Sequence, residues 1–523
     1  MNVAMALFML MQCCSQESDG SLHGDYPKIG MYSQLRSNGL PFRIDENPAN
    51  AIDYDAIATQ AKWNWIVIDM VGDPGGTPSN DNRVIMQAMR TAAPAATISA
   101  FTQGQTLFAC KQGWWWDHGG GFDWNDNGIP DDNPADPTFP NDVYFPAGCD
   151  TTGTNFLWTR MKIARAHNAV LYSLTRDRNN DGKKDAFTRN ECSGGSCVGE
   201  TFGHPIDSPF IDFAMPGVGQ ALADTIVDWA QRLEGVYNGI FVDELCRQIG
   251  FWQGANTDSI DYTRSGAASL AAWNTAYQAG VNAFLERILS QVPDGWIVAD
   301  NGCAISGSDN INGHMRENFP NQNGGTWTSN MLGTGSGVAG DVGYLGDDDR
   351  YADPIHTTLL MLRVTEGTTN PLLAQDHLTA QRLHRLILAS ATLGEGYGLI
   401  TGTTNDISRG YLPWWADEFS VTPAGVSSQS KAYQGWLGDP ISEWYVDAGG
   451  GYRRDFYGGA VIVNNQGPPV TGPTRTFSFN PGYYRILGSV CPSVNTGAAV
   501  TAPITLQPRD ALFLQKRPPS GTP

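Results

Sequence analysis

The stretch VYNGIFVDE, residues 236–244, predicts a buried β-strand that ends in two adjacent carboxylates. Residues Gly239 to Val242 form a short apolar run, which is typical of a strand covered on both faces of a parallel sheet. The carboxyl ends of such strands form the edge where parallel α/β proteins hold their active sites, so Asp243 is placed for chemistry. The alternative is an Asp that caps the next segment or forms a structural salt bridge.

Strand and helix signals alternate on both sides of this stretch. Strands are predicted at 29–33, 65–70, 96–101, 239–243, 296–299, 311–316, 371–374 and 397–401, and helices at 54–62, 82–91, 218–233, 270–288 and 378–393. Eight strands alternating with helices predict an α/β fold, the (β/α)8 or TIM barrel. A doubly wound sheet is the weaker alternative, because no glycine-rich phosphate loop opens a helix after the first strand.

The pattern changes near residue 419, where helix signals stop. Seven short strand signals follow, at 443–447, 452–457, 460–464, 476–479, 483–486, 500–506 and 511–515. Closely spaced strands without helices predict an antiparallel β-sandwich. The predicted organisation is a leader and linker at 1–24, a barrel at 25–418 with an insertion at 102–153, and a β-sandwich domain at 419–518.

Composition limits the function. The 523 residues are too many for one ordinary core, and the formal net charge of −20 argues against nucleic acid as a partner, because no basic excess can replace phosphate counterions. Residues 3–11 are apolar but too few to span a bilayer, and they predict a signal peptide, with Cys13 as a candidate lipidation site. We therefore expect export to an extracellular, periplasmic or cell-surface location, with no transmembrane segment.

Cysteine usage agrees with export. Cys110 and Cys149 bracket the insertion, and Cys192 and Cys197 flank a short flexible loop, so both pairs are candidates for disulfides. Spacing alone leaves the connectivity open. Zinc is not indicated, because the sequence has no close pair of cysteines with histidines at metal-binding spacing.

Five short motifs carry a resemblance to a known family. They are YNGIFVDE, VADNG, GHMRENF, LGDPISEWYVDAGGGYRRDFYGGAVIVNN and LQPRDALFLQ, in this order along the chain. Their order resembles the glycoside-hydrolase-like barrels related to the α-galactosidase and α-amylase superfamilies, and most of all the group known as hypothetical glycoside hydrolase family fifteen. The resemblance covers roughly residues 26–516. It implies a first catalytic carboxylate on the strand that ends at Asp243 and a second on a later strand. The chain departs from the pattern in the insertion and in having Glu244 beside Asp243.

Cleavage of a glycosidic bond needs two carboxylates with opposed tasks. Strand positions favour Asp243 as nucleophile or base and Glu317 as the acid, with Asp300 and Asp376 in reserve. The alternative for Glu317 is a glutamate in a surface loop. The predicted substrate-binding residues are Glu244, Asp300, Asn301, Asp376, His377, Trp115, Trp116 and Trp414.

Two runs of alternating oxygen side chains predict structural Ca²⁺ loops. Their candidate ligands are Asp177, Asn179, Asp181 and Asp185 in one run, and Asp123, Asn125, Asn127 and Asp131 in the other. The first run departs from an EF-hand because Thr188 stands where a bidentate Glu is expected. A β-hairpin with its turn at Gly182 is an equal alternative. No motif for an organic cofactor is present.

Two groups of tryptophans follow predicted strands and are therefore expected near the mouth of the barrel. They are Trp114, Trp115, Trp116 and Trp124 in the insertion, and Trp414 and Trp415 after the eighth strand. A stacking platform for a sugar chain is the favoured interpretation, and a small core that holds long loops together is the alternative. His118, His204 and His377 are weaker candidates for contacts to substrate hydroxyl groups.

These patterns predict a glycoside hydrolase that acts on an oligo- or polysaccharide. A second hypothesis is a carbohydrate-binding or surface-structural protein whose barrel has lost catalysis. A third is a polysaccharide lyase, which needs a cation near a uronate, and Arg247 and Arg316 keep it open.

Overall fold

The structure is a computed structural model with two kinds of sheet, one parallel and wrapped by helices, the other antiparallel. The residues that it describes are 26–33, 51–69, 82–104, 160, 163–164, 166–172, 174, 210–232, 235–243, 245, 260–301, 311–317, 319, 326–333, 343–346, 357–365, 377–403, 415–465 and 472–517.

The parallel sheet has eight strands that follow one another in chain order. They are β1 (Gly30–Ser33), β2 (Trp65–Asp69), β3 (Thr97–Gln103), β4 (Gly239–Asp243), β5 (Ile297–Asp300), β6 (Gly313–Glu317), β7 (Thr357–Thr365) and β8 (Tyr397–Thr403). A parallel bridge between Ile29 and Gly398 joins the two edges of this sheet. The prediction of a TIM-barrel-like α/β fold is confirmed.

Helices alternate with these strands. They are α1 (Tyr54–Gln60), α2 (Asn82–Ala92), α3 (Val218–Arg232), α4 (Leu270–Gln291), α5 (Trp327–Leu332) and α6 (His377–Leu393). The predicted apolar stripe of α4 is confirmed, since Trp273, Tyr277, Val281, Phe284 and Ile288 are all buried. Within the described residues, no helix has both the length and the apolar composition needed to cross a bilayer.

The seventh strand was predicted in the wrong place. The strand between β6 and β8 is Thr357–Thr365, which pairs with both neighbours, whereas the predicted span 371–374 lies outside the described residues. Residues 357–365 form a longer run of apolar and β-branched side chains, while a strand at 371–374 begins with a proline, which cannot donate to a ladder. His377 is the first residue of α6.

One face of the parallel sheet, which we call the inner face, carries a cluster of apolar side chains. The cluster consists of Trp65, Val67, Phe101, Phe241, Ile297, Ala299, Met315, Tyr397 and Leu399. The indole N–H of Trp65 donates to Ser99 Oγ at 2.9 Å. A Cβ on Gly239 would lie 2.4 Å from the same Oγ, so the packing requires glycine there. This filling leaves the carboxyl edge of the inner face for polar side chains.

An asparagine stands immediately before each of the strands β2, β4 and β6 and accepts a hydrogen bond from the strand before it. The N–H of Ile29 donates to Asn64 (3.0 Å), the N–H of Ile98 donates to Asn238 (2.7 Å), and the N–H of Val298 donates to Asn312 (2.6 Å). Each amide therefore extends the ladder at the amino edge of the sheet and fixes the register of two strands.

The antiparallel part contains one five-stranded and one two-stranded sheet, in the orders β13-β15-β11-β10-β9 and β12-β14. Its strands are β9 (Tyr445–Val446), β10 (Tyr452–Asp455), β11 (Gly459–Asn464), β12 (Arg475–Phe477), β13 (Tyr483–Arg485), β14 (Ile504–Leu506) and β15 (Asp510–Lys516). Both sheets contribute to one apolar cluster, which includes Ile462 and Phe477. The antiparallel strands are confirmed, while their grouping as a β-sandwich and the domain boundary near residue 419 stay predictions.

One carboxylate, that of Glu395, connects the two parts of the protein. It accepts hydrogen bonds from the Tyr26 hydroxyl and, at 2.7 Å, from Arg454 of β10, and Lys28 Nζ lies 3.8 Å away. Arg454 is buried and also donates to the carbonyl of Gly394 at 2.7 Å. The start of the parallel sheet, the turn between α6 and β8, and the antiparallel sheet therefore meet at one anion.

We expect Glu395→Gln to lower the free energy of unfolding by about 3 kcal/mol, because removing the anion leaves the buried Arg454 cation without its counter-charge. Denaturant unfolding of the native and variant proteins measures the change. Arg287→Gln, which removes an exposed ion pair with Asp224 on neighbouring helices, is the control and should leave the midpoint unchanged. Equal midpoints for Glu395→Gln and the native protein would contradict the assigned role.

Candidate active site

Three polar side chains converge at the carboxyl edge of the inner face. Asp243 and Glu317 are the last residues of β4 and β6, and Asn301 follows β5, which lies between them in the sheet. Successive side chains of a strand point to opposite faces. Each of the three residues is two positions after a member of the inner apolar cluster, so all three lie on the inner face.

The Asn301 amide bridges the two carboxylates. Its Nδ2 donates to Asp243 Oδ1 at 2.8 Å and to Glu317 Oε2 at 2.7 Å. These two oxygens are therefore no more than 5.5 Å apart. The backbone N–H of Asn301 also donates to the carbonyl of Val242 at 3.1 Å, which anchors the amide to β4. The sequence-predicted pair of carboxylates is thus brought together, and the residue between them was predicted as a substrate contact.

Aromatic rings form a floor under the carboxylates. Phe241 lies two residues before Asp243 on β4, and its ring stacks on that of Phe101 at a centroid distance of 6.2 Å. Asp243 is only 5% exposed, whereas Glu317 is half-buried. An apolar floor lowers the local dielectric, so charges that form above it interact more strongly than they would in water.

Arg160 is a buried cation close to this edge that the sequence analysis did not single out. Its Nη2 donates to the carbonyl of Gly104 at 3.1 Å, and the N–H of Gly104 donates to the carbonyl of Asp243 at 2.6 Å. Burial lowers the pKa of Arg160 to about 10, so the side chain stays protonated at neutral pH. No motif or periodic pattern marked this residue, because its position depends on how residues 104 and 160 meet in space.

The prediction that Asp300 is a substrate contact or reserve catalytic carboxylate is wrong. Asp300 is the last residue of β5, one position out of phase with Ala299, so its side chain points to the outer face. There its Oδ1 lies 2.6 Å from Nδ1 of His314. Arg316 alternates with Met315 in the same way and is buried on the outer face. Arg316 is therefore not placed at the site as the cation that the lyase hypothesis needs near a uronate.

Other predicted site residues lie outside the described residues, and these predictions stay predictions. They are Glu244, Asp376, Trp115, Trp116 and Trp414, together with the calcium candidates Asp123, Asn125, Asn127, Asp131, Asp177, Asn179, Asp181 and Asp185. The side chain of His377 is also outside the description. In the part of the chain that the structure describes, no three His, Cys, Asp or Glu residues are grouped to hold a metal ion.

Trp415 was predicted to lie near the mouth of the barrel, but the structure places it elsewhere. Its ring packs against Trp63 at 5.6 Å and Phe419 at 5.3 Å, and its Nε1 donates to the carbonyl of Ser428 at 2.9 Å. Trp63 precedes β2, so this contact is at the amino edge of the sheet. For Trp415 the alternative interpretation, a small core that holds connecting segments, is correct.

Asp212 is a buried carboxyl group away from the inner face. Its Oδ1 accepts from Trp273 Nε1 of α4 and from the backbone N–H of Ala214, both at 3.0 Å. Burial raises the pKa of Asp212 to about 6. A shift of this kind often marks a functional site. Here the partners are an indole in a helix and the local backbone, so Asp212 belongs to the framework.

Comparisons with known proteins give remote similarity to glycosidases. No family model and no curated protein matches the sequence. Similar solved structures include a GH36 α-galactosidase, AgaA, from Geobacillus stearothermophilus (9% identity, TM-score 0.35) and an α-amylase from Malbranchea cinnamomea (9%, 0.41). Another is a GH27 β-L-arabinopyranosidase from Geobacillus stearothermophilus (7%, 0.40).

The extent of these matches differs. They cover 94%, 94% and 95% of this chain, and 55%, 96% and 98% of the other chains, respectively. This chain therefore spans about half of the length of AgaA. All of the TM-scores lie below 0.5, so the chemistry of the site has to follow from its own side chains. The family resemblance of the sequence motifs stays a prediction.

We expect Asp212→Asn to change how stability depends on pH. The native state keeps the Asp212 proton up to about pH 6, whereas an unfolded Asp loses it near its ordinary pKa, about 3.9, so stability falls as pH rises through this interval. Asn keeps the Oδ1 acceptor and removes the buried charge. The free energy of unfolding of the variant relative to the native protein should therefore rise by about 2–3 kcal/mol between pH 4 and pH 7. An equal difference at both pH values in denaturant titrations would contradict this assignment.

Proposed function

We propose that this protein is a glycoside hydrolase that cleaves O-glycosidic bonds of an oligo- or polysaccharide with two carboxylates, those of Asp243 and Glu317. The observation that supports the proposal is the contact of one amide group, that of Asn301, with both carboxylates. The pair lies at the carboxyl edge of a TIM-barrel-like sheet, where enzymes of this architecture carry their active sites. A purely structural carboxylate pair has no need of an edge position above an aromatic floor.

Burial and charge suggest the role of each carboxylate. Asp243 is the more deeply buried of the two, and the cation of Arg160 is linked to its backbone through Gly104. Its Oδ1 accepts a hydrogen bond from Asn301, which holds the carboxylate in place for attack as the nucleophile. Glu317 is half-buried, so it can exchange its proton with water and with a departing sugar, as a general acid and base must.

The contacts of Asn301 also distinguish the two oxygens of each carboxylate. Nδ2 can only donate, so Asp243 Oδ1 and Glu317 Oε2 are engaged as acceptors. In the proposed reaction, Oδ2 of Asp243 is the attacking atom and Oε1 of Glu317 carries the proton of the acid.

The reaction follows in two steps. Glu317 Oε1 gives its proton to the glycosidic oxygen while Asp243 Oδ2 attacks the anomeric carbon, which breaks the C–O bond, forms a glycosyl ester and releases the first sugar as an alcohol. The ionised Glu317 then takes a proton from water. The resulting hydroxide attacks the anomeric carbon, the ester bond to Asp243 breaks, and both carboxyl groups return to their starting state.

The distance between the carboxylates favours retention of configuration. Carboxyl groups about 5–5.5 Å apart are typical of retaining glycosidases, and about 6.5–9.5 Å of inverting ones, which must place a water between them. At Asn301 the two carboxyl groups approach within 5.5 Å, measured between Asp243 Oδ1 and Glu317 Oε2, and this close approach fits the first class. The formal charge of −20 further favours an uncharged glycan over a polyanionic one.

We expect Asp243→Asn and Glu317→Gln to abolish reducing-sugar release from a panel of soluble polysaccharides. Each change removes a group that takes part in bond cleavage, so the rate should fall by about 10³-fold or more. Glu286→Gln, which alters an exposed glutamate on α4, is the control and should keep the native rate. Binding of a glycan by the native protein without any release would favour the carbohydrate-binding hypothesis instead.

We also expect the first product formed to have the anomeric configuration of the substrate, because each of the two displacements inverts the anomeric carbon. Proton NMR of the anomeric signals in the first minutes of the reaction, before mutarotation, measures this. Initial release of the opposite anomer would show that water attacks directly, and it would overturn the role of Asp243 as nucleophile.

A further inference from the structure

The boundary between β5 and β6 separates Asn301 from Glu317, and it is more briefly paired than the boundaries on either side of it. Among the described residues, the register of β5 and β6 contains two pairs, Ala299 with Gly313 and Asp300 with His314. By comparison, β4 and β5 have four pairs, and β6 and β7 have five. The relative position of the two side chains therefore depends on few backbone hydrogen bonds.

Side chains supply the missing bonds at both ends of this boundary. At the amino end, Asn312 accepts from the N–H of Val298 at 2.6 Å and donates to the carbonyl of Trp296 at 2.9 Å. At the carboxyl end, His314 Nδ1 lies 2.6 Å from Asp300 Oδ1. The second bond is short, is on the outer face, and is next to the site, since Asp300 precedes Asn301 and His314 is three residues before Glu317.

Burial indicates that His314 serves this bond alone. The residue is 1% exposed, and its Nε2 is buried without a hydrogen-bond partner among the described residues. The short contact with a carboxylate places the imidazole hydrogen on Nδ1. An unsatisfied buried nitrogen costs stability, and the bond from Nδ1 to Asp300 offsets that cost.

We infer that His314 and Asp300 are positioning residues, whose bond across the outer face holds Glu317 at the distance from Asn301 and Asp243 that the reaction needs. This inference rests on the proposed function. A misplacement of about 1 Å is enough to lower a catalytic rate by about 10²-fold. A bond that ties the ends of β5 and β6 together resists such a displacement without touching the substrate.

Kinetics of three variants test the inference. His314→Phe removes the donor, and His314→Asn places an amide N–H where Nδ1 stands. We expect kcat to fall by about 10–100-fold in His314→Phe with a much smaller change in KM, and His314→Asn to restore most of the loss. His384→Phe is the matched control, because His384 is also a buried histidine, whose pKa burial lowers to about 4, and it packs on Phe419 at the opposite edge. The His384→Phe variant should keep the native kcat.

A spectroscopic readout separates this inference from the proposed function. With ¹⁵N-labelled asparagine, the side-chain amide signals of Asn301 are assigned by their loss in Asn301→Ser. In His314→Phe we expect these signals to move toward those of a solvated amide, and in His314→Asn and His384→Phe to stay in place. If the native protein hydrolyses no glycan, the proposed function fails, while the amide signals still decide whether His314 positions Asn301 and Glu317.

A folded His314→Phe protein with native amide signals and native kcat would overturn the inference. If this variant does not fold, Asp300→Asn replaces it, because Asn keeps an acceptor for Nδ1 and weakens the bond by removing the charge. We then expect a loss in kcat of about threefold to tenfold and a smaller shift of the same signals. Unchanged values of both in Asp300→Asn would equally overturn it.

Discussion

Register is the constraint on which the rest of the molecule depends, and asparagine amides at the amino edge of the parallel sheet hold it. Asn64, Asn238 and Asn312 each accept a hydrogen bond from the N–H of the preceding strand before the regular ladder begins. Side chains alternate between faces, so a slip of one residue in β5 or β6 would turn Asn301 or Glu317 away from the inner face. Hydrogen bonds at one edge thereby determine which side chains meet at the other.

The two faces of the parallel sheet contribute to the site in different ways. On the inner face, aromatic packing fills the space below the carboxylates, and the Asn301 amide bridges them. On the outer face, the pair of His314 and Asp300 ties together the strands that carry Asn301 and Glu317. A polar pair of this kind on the inner face would compete with substrate for the carboxylates, whereas on the buried outer face the bond affects only the geometry of the strands.

The sequence predicts strand ends better than the face on which a side chain lies. Short apolar runs followed by Asp243 and Glu317 were enough to place both carboxylates correctly. The prediction for Asp300 was wrong because β5 extends one residue beyond its predicted end. A difference of one residue moves a side chain from the inner face to the outer face. The bridging role of Asn301 and the location of Trp415 depend on distant segments that meet only in the fold, and no local pattern encodes such meetings.

The anchorage of Glu395 has a consequence for synthesis of the chain. Its partners Tyr26 and Lys28 are made first, and Arg454 is made more than 50 residues after Glu395 itself. A chain that emerges from the ribosome amino end first therefore holds a nearly complete parallel sheet whose joining carboxylate still lacks its strongest cation. During that interval the edges of β1 and β8 are poorly secured and open to strand pairing with other chains.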